Sequence, residues 1–238
     1  YFESREPSVF AYMPEPNRFE RLRRDAESLL KKYPTPETRP PLFGIPIGVK
    51  DIFHVDGFPT SGGSKLPPEV LKGQQAESVT LLKNAGALIF GKAVSTEFAY
   101  FAPGPTRNPH NPHHTPGGSS SGSAAAVGAN LNPLTLGTQT IGSIIRPASF
   151  CGVVGYKPTY DRISRAGVIP LSPSVDHIGF FTADAASANL VASILLKTFK
   201  TSEFFKNSEV LKLPVLGIPE GAYLSKAESA TLEHFYAT

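Results

Sequence analysis

Short apolar segments with the spacing of strands alternate along this chain with segments that have the spacing of helices. Ile45, Ile47 and Val49 recur at every second position, which predicts a strand. Residues 17–33 repeat apolar side chains at helical spacing between a capping Asn17 and a proline, which predicts a helix. The alternation is typical of a layered α/β fold. Further helices are predicted at 77–85, at 95–102, from 124, from Thr182 or Asp184 to 196, and after 218, and further strands at 87–90, 134–136, 153–156 and 215–218.

Charge and composition exclude several functional classes. The 238 residues include 23 Lys and Arg against 20 Asp and Glu, and a net charge of +3 is too small to indicate a nucleic-acid or membrane-surface partner. No apolar run approaches the roughly 18 residues of a membrane helix. The single cysteine, Cys151, excludes a disulfide framework and a multi-cysteine zinc site. We therefore expect a cytoplasmic protein that needs no metal or other cofactor and binds neither nucleic acid nor membrane.

Two motifs suggest nucleotide or metal binding, but each lacks an essential part. Residues 86–93 nearly spell a phosphate-binding loop, yet Ala93 replaces the hydroxyl that would hold magnesium, and an apolar, strand-like run stands in place of the loop. His110, His113 and His114 could ligate a metal, but no carboxylate or cysteine lies close in sequence to complete the coordination shell. The favoured interpretation is a strand and three ordinary loop histidines.

Residues 118–122 match the G-x-S-x-G pattern of a nucleophile elbow. That elbow requires a strand directly before it, and residues 114–117 contain a proline and a glycine that a central strand does not tolerate. Asp176 with His177 or His234 could complete a triad, but nothing in the sequence singles them out. An α/β-hydrolase triad is therefore disfavoured.

One lysine and two Gly/Ser-rich turns form the remaining candidate site. Lys50 ends the strand predicted around Val49 among apolar neighbours, where desolvation would lower the pKa of its amine and allow the neutral form to act as a base. Strand alternation directs Asp51 to the opposite face, which limits the charge pairing that would raise this pKa. The turns at 117–123 and 137–143 are rich enough in glycine for backbone N–H groups to converge on an anion. A snorkelling lysine and two flexible loops are the alternatives.

Together, three sequence blocks resemble the amidase signature family of Ser-cisSer-Lys amide hydrolases, particularly its free-standing amidases. The blocks at 44–51, 117–127 and 136–159 occur in family order, and similarity continues through 176–179. The resemblance implies an α/β fold whose mixed β-sheet is covered by helices on both sides. Because family domains continue well beyond Thr238, we expect residues 1–238 to be the N-terminal, catalytic-residue-bearing part of a single amidase domain, without its C-terminal part.

The resemblance also implies residue roles. Ser143 corresponds to the nucleophile, Ser119 to the cis-serine, preceded by a cis peptide, and Lys50 to the base. The oxyanion hole would be formed by the backbone N–H groups of Thr140, Ile141, Gly142 and Ser143. The implied reaction cleaves a small-molecule carboxamide, or a related C–N bond, to acid and amine or ammonia through an acyl-enzyme on Ser143.

Two residues depart from the family pattern and leave other interpretations open. Family members commonly have glycine in place of Ile141, and a β-branched residue there would be strained if the position requires positive φ. They commonly have aspartate in place of Gln139, and this variant, with Ile145, disfavours the alternative of a glutaminase subunit of an aminoacyl-tRNA amidotransferase, which would need partner subunits. An inactive fragment is the other alternative. The chain could also assemble as a homodimer.

Overall fold

The computed structural model describes residues 1–199, 217–218, 221–222 and 224–237, and it divides the chain into two compact units, Tyr1–Lys200 and Thr201–Thr238. The helices of the first unit are α1 (Phe2–Val9), α2 (Arg18–Lys32), α3 (Glu77–Asn84), α4 (Ser121–Gly128), α5 (Ile145–Cys151) and α6 (Ala185–Leu195). Its strands are β1 (Pro46–Lys50), β2 (Leu88–Ala93), β3 (Leu134–Gln139), β4 (Val154–Tyr156) and β5 (His177–Thr182). The second unit contains α7 (Ser229–Ala237).

The five strands form one mixed sheet in the order β2-β1-β3-β5-β4. Strand β1 is parallel to β2 and β3, whereas β5 is antiparallel to β3 and β4. In register, Val49 of β1 lies between Lys92 of β2 and Leu136 of β3. Because β1 and β3 are parallel, Lys50 and Gln139 end their strands at the same edge of the sheet, where the turn after β3 begins.

Two apolar layers cover the two faces of the sheet. On one face, α3 and α6 pack Leu82 and Val191 against strand residues that include Ile47. On the other face, the Ala- and Ser-rich α4 packs with α5 against strand residues that include Phe181. The small side chains of α4 allow close approach, since a Cβ added at Gly122 would lie 2.2 Å from the carbonyl oxygen of Ala11. The expectation of a mixed sheet with helices on both sides is confirmed.

Several predicted elements differ in detail from those observed. The helix predicted at 95–102 is wrong: only a 3-10 turn over Glu97–Ala99 forms, because Phe98 and Ala99 adopt left-handed φ values of 45° and 59°. Asn17 precedes α2, but its side chain makes no capping hydrogen bond; it contributes a left-handed φ of 59°, which asparagine tolerates. Asp184, one of the two residues predicted to begin the helix before 196, caps α6 by accepting the N–H of Ser187 at 2.7 Å.

Three observed elements, α1, α5 and β5, have no counterpart in the sequence-based prediction, and one prediction falls outside the described residues. Helix α1 has Pro7 in its interior and little amphipathic character. Strand β5 is buried along almost its entire length, so it lacks the polar alternation that marks a half-exposed strand. The strand predicted at 215–218 lies outside the described residues except for Gly217 and Ile218, which belong to no regular element. No helix in the described ranges is both long enough and apolar enough to cross a membrane.

A buried ion pair fixes the end of β1 against β2. Lys92 Nζ lies 3.0 Å from Asp51 Oδ1, and the two side chains are only 3% and 1% exposed. Lys92 also donates to Thr60 Oγ1 at 2.9 Å, and Asp51 accepts the N–H of Ser61 at 3.2 Å. Burial lowers the pKa of the Lys92 amine, and the Asp51 carboxylate opposes this shift. Lys92, which belongs to the segment at 86–93 that resembles a phosphate-binding loop, therefore lies in a strand and pairs with a carboxylate of the protein itself.

Replacing Lys92 by methionine is expected to lower the free energy of unfolding by about 3–5 kcal/mol, because it leaves the Asp51 carboxylate buried without its cation. Urea unfolding followed by circular dichroism measures this loss. The matched control is Lys31→Met at the exposed end of α2, which is expected to change stability by less than about 0.5 kcal/mol. Equal effects of the two substitutions would contradict the structural role of the pair.

Candidate active site

Lys50 is completely buried at the C-terminal end of β1. Its Nζ donates to Ser119 Oγ and to Thr138 Oγ1, each at 2.8 Å. Burial lowers the pKa of its amine well below the ordinary lysine value, and the charge of Asp176 opposes this shift. As predicted from strand alternation, Asp51 points away and pairs with Lys92 instead. The result is a desolvated amine in direct contact with a serine hydroxyl.

Ser119 lies near the end of a long loop rich in proline and glycine, residues 103–120, just before α4. The Gly118–Ser119 peptide is cis, as the family resemblance implied. The carbonyl of Ser119 accepts the N–H of Thr96 at 3.1 Å. Ser119 itself is only 2% exposed. The next residue, Ser120, is fully buried and bonds the backbone of Thr138 through its hydroxyl. Ser120 is the serine that a nucleophile elbow would expose, so that interpretation is wrong.

Ser143 lies on the turn between β3 and α5. Its side chain is 7% exposed and, within the described part of the chain, its hydroxyl makes no hydrogen bond. The N–H groups of Ile141, Gly142 and Ser143 likewise donate to no acceptor among the described residues. Three consecutive free donors next to a serine are what an oxyanion hole requires. Thr140 begins the same turn, and its side chain is held by Asp176.

Gln139 fixes the shape of this turn. Its Oε1 accepts the N–H groups of Ile144 and Ile145 at 2.8 and 2.9 Å, and its Nε2 donates to the carbonyl of Ile141 at 3.0 Å. The Gln139 side chain thus bonds the backbone on both sides of Ser143. These contacts explain how a glutamine can occupy this position, where family members commonly have an aspartate. Ile141 is 80% exposed and does not adopt a positive φ, so the strain expected for a β-branched residue there is absent.

An apolar cavity of about 260 Å³ lies beside the turn. Thr138 and Thr140 contribute to its wall, as does Asp176, which accepts Thr140 Oγ1 at 2.5 Å and the N–H groups of Leu171 and Ser172 at 2.8 Å. Most of the remaining wall is apolar, including Ile52, Val168, Ile169 and Ile178. The cavity therefore adjoins Thr138, which accepts a hydrogen bond from Lys50, and Thr140, which begins the turn that bears Ser143.

The histidine cluster does not form a metal site. His110 hydrogen-bonds through Nε2 to the carbonyl of Cys151 at 2.8 Å. Across the described ranges, no three His, Cys, Asp or Glu side chains come together in a way that could hold a metal ion. His110, His113 and His114 lie outside the helices and strands, in the loop before α4.

The sequence did not predict the contacts that three residues make near the site. Thr138 accepts from Lys50, Asp176 holds Thr140, and Arg146 donates to the carbonyl of Gly118. The contact of Thr138 follows only from the parallel pairing of β1 with β3, which the sequence does not specify. Asp176 lies within the stretch that resembles the family, but its partners come from other segments. No local pattern marks Arg146.

Comparison with known proteins places this geometry in a family. A family model described as amidase matches residues 17–212. The chain is 47% identical over 161 residues to the A subunit of glutamyl-tRNA(Gln) amidotransferase from Trichlorobacter lovleyi, a match that covers 65% of this chain and 33% of that protein. The chain thus spans about a third of the length of that curated relative.

Solved structures give the same result. Native peptide amidase from Stenotrophomonas maltophilia superposes with a TM-score of 0.74 at 34% identity, over 84% of this chain and 42% of that one. The A subunit of glutamyl-tRNA(Gln) amidotransferase from Thermotoga maritima gives a TM-score of 0.68 at 34% identity, over 82% of this chain and 41% of that one. Since the family model covers most of the chain and the fold and motifs agree with it, the chain belongs to the amidase family, the amidase signature family that its motifs resemble.

Proposed function

We propose that this chain carries the catalytic site of an amide hydrolase that cleaves a carboxamide, or a related C–N bond, to an acid and an amine or ammonia. Lys50, Ser119 and Ser143 are its Ser-cisSer-Lys triad. The observation that carries the proposal is the contact of a buried, desolvated Lys50 amine with Ser119 Oγ at 2.8 Å. A lysine in this environment loses its proton more readily than an exposed lysine, and its neutral amine can act as a base.

The proposed acylation begins with proton transfer between the three side chains. Neutral Lys50 accepts a proton from Ser119, Ser119 accepts the proton of Ser143, and Ser143 Oγ forms a bond to the carbonyl carbon of the substrate. The N–H groups of the turn, from Thr140 to Ser143, would bind the resulting oxyanion; one such donor contributes about 3–4 kcal/mol in transition-state stabilisation.

Collapse of the tetrahedral intermediate completes the first half of the reaction. The C–N bond breaks, Ser119 gives its proton to the departing amine, and Lys50 returns the proton it holds to Ser119. Water then attacks the ester on Ser143 by the same route, releasing the acid and restoring the hydroxyl. The proton relay uses side chains of this chain alone, and the apolar cavity beside Thr138 and Thr140 offers space for an apolar acyl group.

The second candidate function is that of a glutaminase subunit of an aminoacyl-tRNA amidotransferase. The observation that favours it is the identity of 41–48% to curated A subunits of glutamyl-tRNA(Gln) amidotransferase. The TM-score of 0.74 with peptide amidase, against 0.68 with the A subunit from Thermotoga maritima, favours a free-standing amidase. Ammonia release from free glutamine, compared with release from apolar primary carboxamides, distinguishes the two, as does co-purification with partner subunits.

Labelling by a fluorophosphonate probe tests the proposed nucleophile directly. We expect the chain to react at Ser143, and the variants Ser143→Ala and Lys50→Met to lose labelling while retaining the folded circular dichroism spectrum. Lys31→Met, which removes a lysine from the exposed end of α2, serves as the matched control and is expected to react like the parent chain. Absence of labelling in the parent chain would overturn the proposal in favour of an inactive fragment.

The rate of labelling should depend on pH in one direction. Because only neutral Lys50 can accept a proton, the rate should rise as pH increases through the pKa of Lys50 and then level off. Burial lowers this pKa, so the midpoint should lie well below the ordinary lysine range. A midpoint in the range of an exposed lysine would contradict the role of Lys50 as the base.

Replacing Ile141 by glycine tests whether the turn is free of strain. Since Ile141 lacks a positive φ, glycine should relieve nothing and should lower the free energy of unfolding by about 0.5–1 kcal/mol through the added freedom of the unfolded chain. Chemical unfolding of Ile141→Gly and Ile141→Ala measures this difference. A glycine variant more stable than the alanine variant would show that the turn is strained by its isoleucine.

A further inference from the structure

We propose that Arg146 is a positioning residue of this site. Its guanidinium holds the turn that carries Ser119 against the turn that carries Ser143, and so sets the geometry of proton transfer between the two serines. The inference rests on the proposed function, because it assigns Arg146 a part in that reaction.

The contact itself is a two-pronged hydrogen bond. Arg146 Nε and Nη2 donate to the carbonyl oxygen of Gly118 at 3.1 and 2.6 Å. Gly118 directly precedes Ser119, and Arg146 follows Ser143 by three residues in the first turn of α5. The backbone N–H of Arg146 also donates to the carbonyl of Gly142 at 2.9 Å, so the base of the side chain is fixed to the same turn as the nucleophile.

The two turns are in close contact at this junction. Gly117 has a φ of +76°, and a Cβ there would lie 2.9 Å from the Cα of Pro147, the residue after Arg146. Each turn also has an anchor of its own: Thr96 holds the carbonyl of Ser119, and Gln139 holds the turn of Ser143 from within. Among the described residues, the Arg146 side chain is the one hydrogen-bonding group that joins residues 117–119 to residues 140–147.

The charge of Arg146 is used for this contact alone. No carboxylate in the described part of the chain forms an ion pair with it. A planar guanidinium with two donors on one acceptor fixes an orientation that the single, flexible ammonium of lysine cannot reproduce. The side chain is largely exposed, so its removal leaves no buried cavity and the fold should survive.

Loss of this contact should slow the reaction without weakening substrate binding. If Ser119 and Ser143 drift apart, proton transfer between them is impaired, and a misplacement near 1 Å can cost on the order of 100-fold in rate. The burial that lowers the pKa of Lys50 does not involve Arg146, so the pH midpoint of the reaction should stay where it is in the parent chain.

The experiment compares Arg146→Met, Arg146→Ala and Arg146→Lys with Arg24→Met, a control on the exposed face of α2. We expect Arg146→Met to lower the fluorophosphonate labelling rate and kcat for a neutral primary carboxamide about 10- to 100-fold, with KM and pH midpoint unchanged. The labelling rate and kcat of Arg146→Lys should lie between those of Arg146→Met and those of the parent chain. Added methylguanidinium should restore part of the rate of Arg146→Ala, and the rates of Arg24→Met should match those of the parent chain.

The outcomes separate this inference from the proposed function. Labelling of Arg146→Met at the parent rate would overturn the positioning role and leave the triad intact. A raised KM confined to negatively charged substrates, with kcat unchanged, would overturn it by showing that Arg146 binds substrate instead. A parent chain that reacts no faster than Ser143→Ala would refute the proposed function itself. Should Arg146→Met fail to fold, Arg146→Lys and the methylguanidinium rescue decide the question.

Discussion

The burial of one lysine amine at the end of β1 is the constraint on which the candidate site depends. Lys50 has no exposed surface, and its nearest polar contacts are two hydroxyls, those of Ser119 and Thr138. Removing an ammonium from water without a directly bonded carboxylate is costly, so this environment favours the neutral amine. Asp51, the adjacent residue in sequence, is kept away by its own ion pair with Lys92.

The rest of the fold positions two Gly- and Ser-rich turns, those that carry Ser119 and Ser143, near this amine. The parallel pairing of β1 and β3 places Thr138 beside Lys50 and starts the turn to Ser143 at the same edge of the sheet. Helix α4, built from small residues, lies close to the sheet and carries the segment with Ser119 on its N-terminal side. Side chains of Gln139, Asp176 and Arg146 then replace the rigidity that Gly- and Ser-rich turns lack.

The layered fold and the residues of the motifs could be predicted from the sequence, because both produce local patterns in it. Alternation at Ile45–Val49 predicted β1, and it also predicted that Lys50 and Asp51 face opposite ways. The contacts that hold the turns could not be predicted, since Asp176 and Arg146 act on residues 36 and 28 positions away. The helix predicted at 95–102 does not form because Phe98 and Ala99 adopt left-handed backbone conformations. Tertiary contacts impose these conformations; one of them is the hydrogen bond from the N–H of Phe98 to the carbonyl of Gly62.

The protonation state of Lys50 in the folded chain is the most direct test of the proposed site. Nuclear magnetic resonance of lysine labelled with ¹⁵N at Nζ, with Lys50→Met used for assignment, follows the titration of that one amine. We predict that Lys50 titrates well below the exposed lysines of the chain. A Lys50 that titrates together with the exposed lysines would contradict its role as the base.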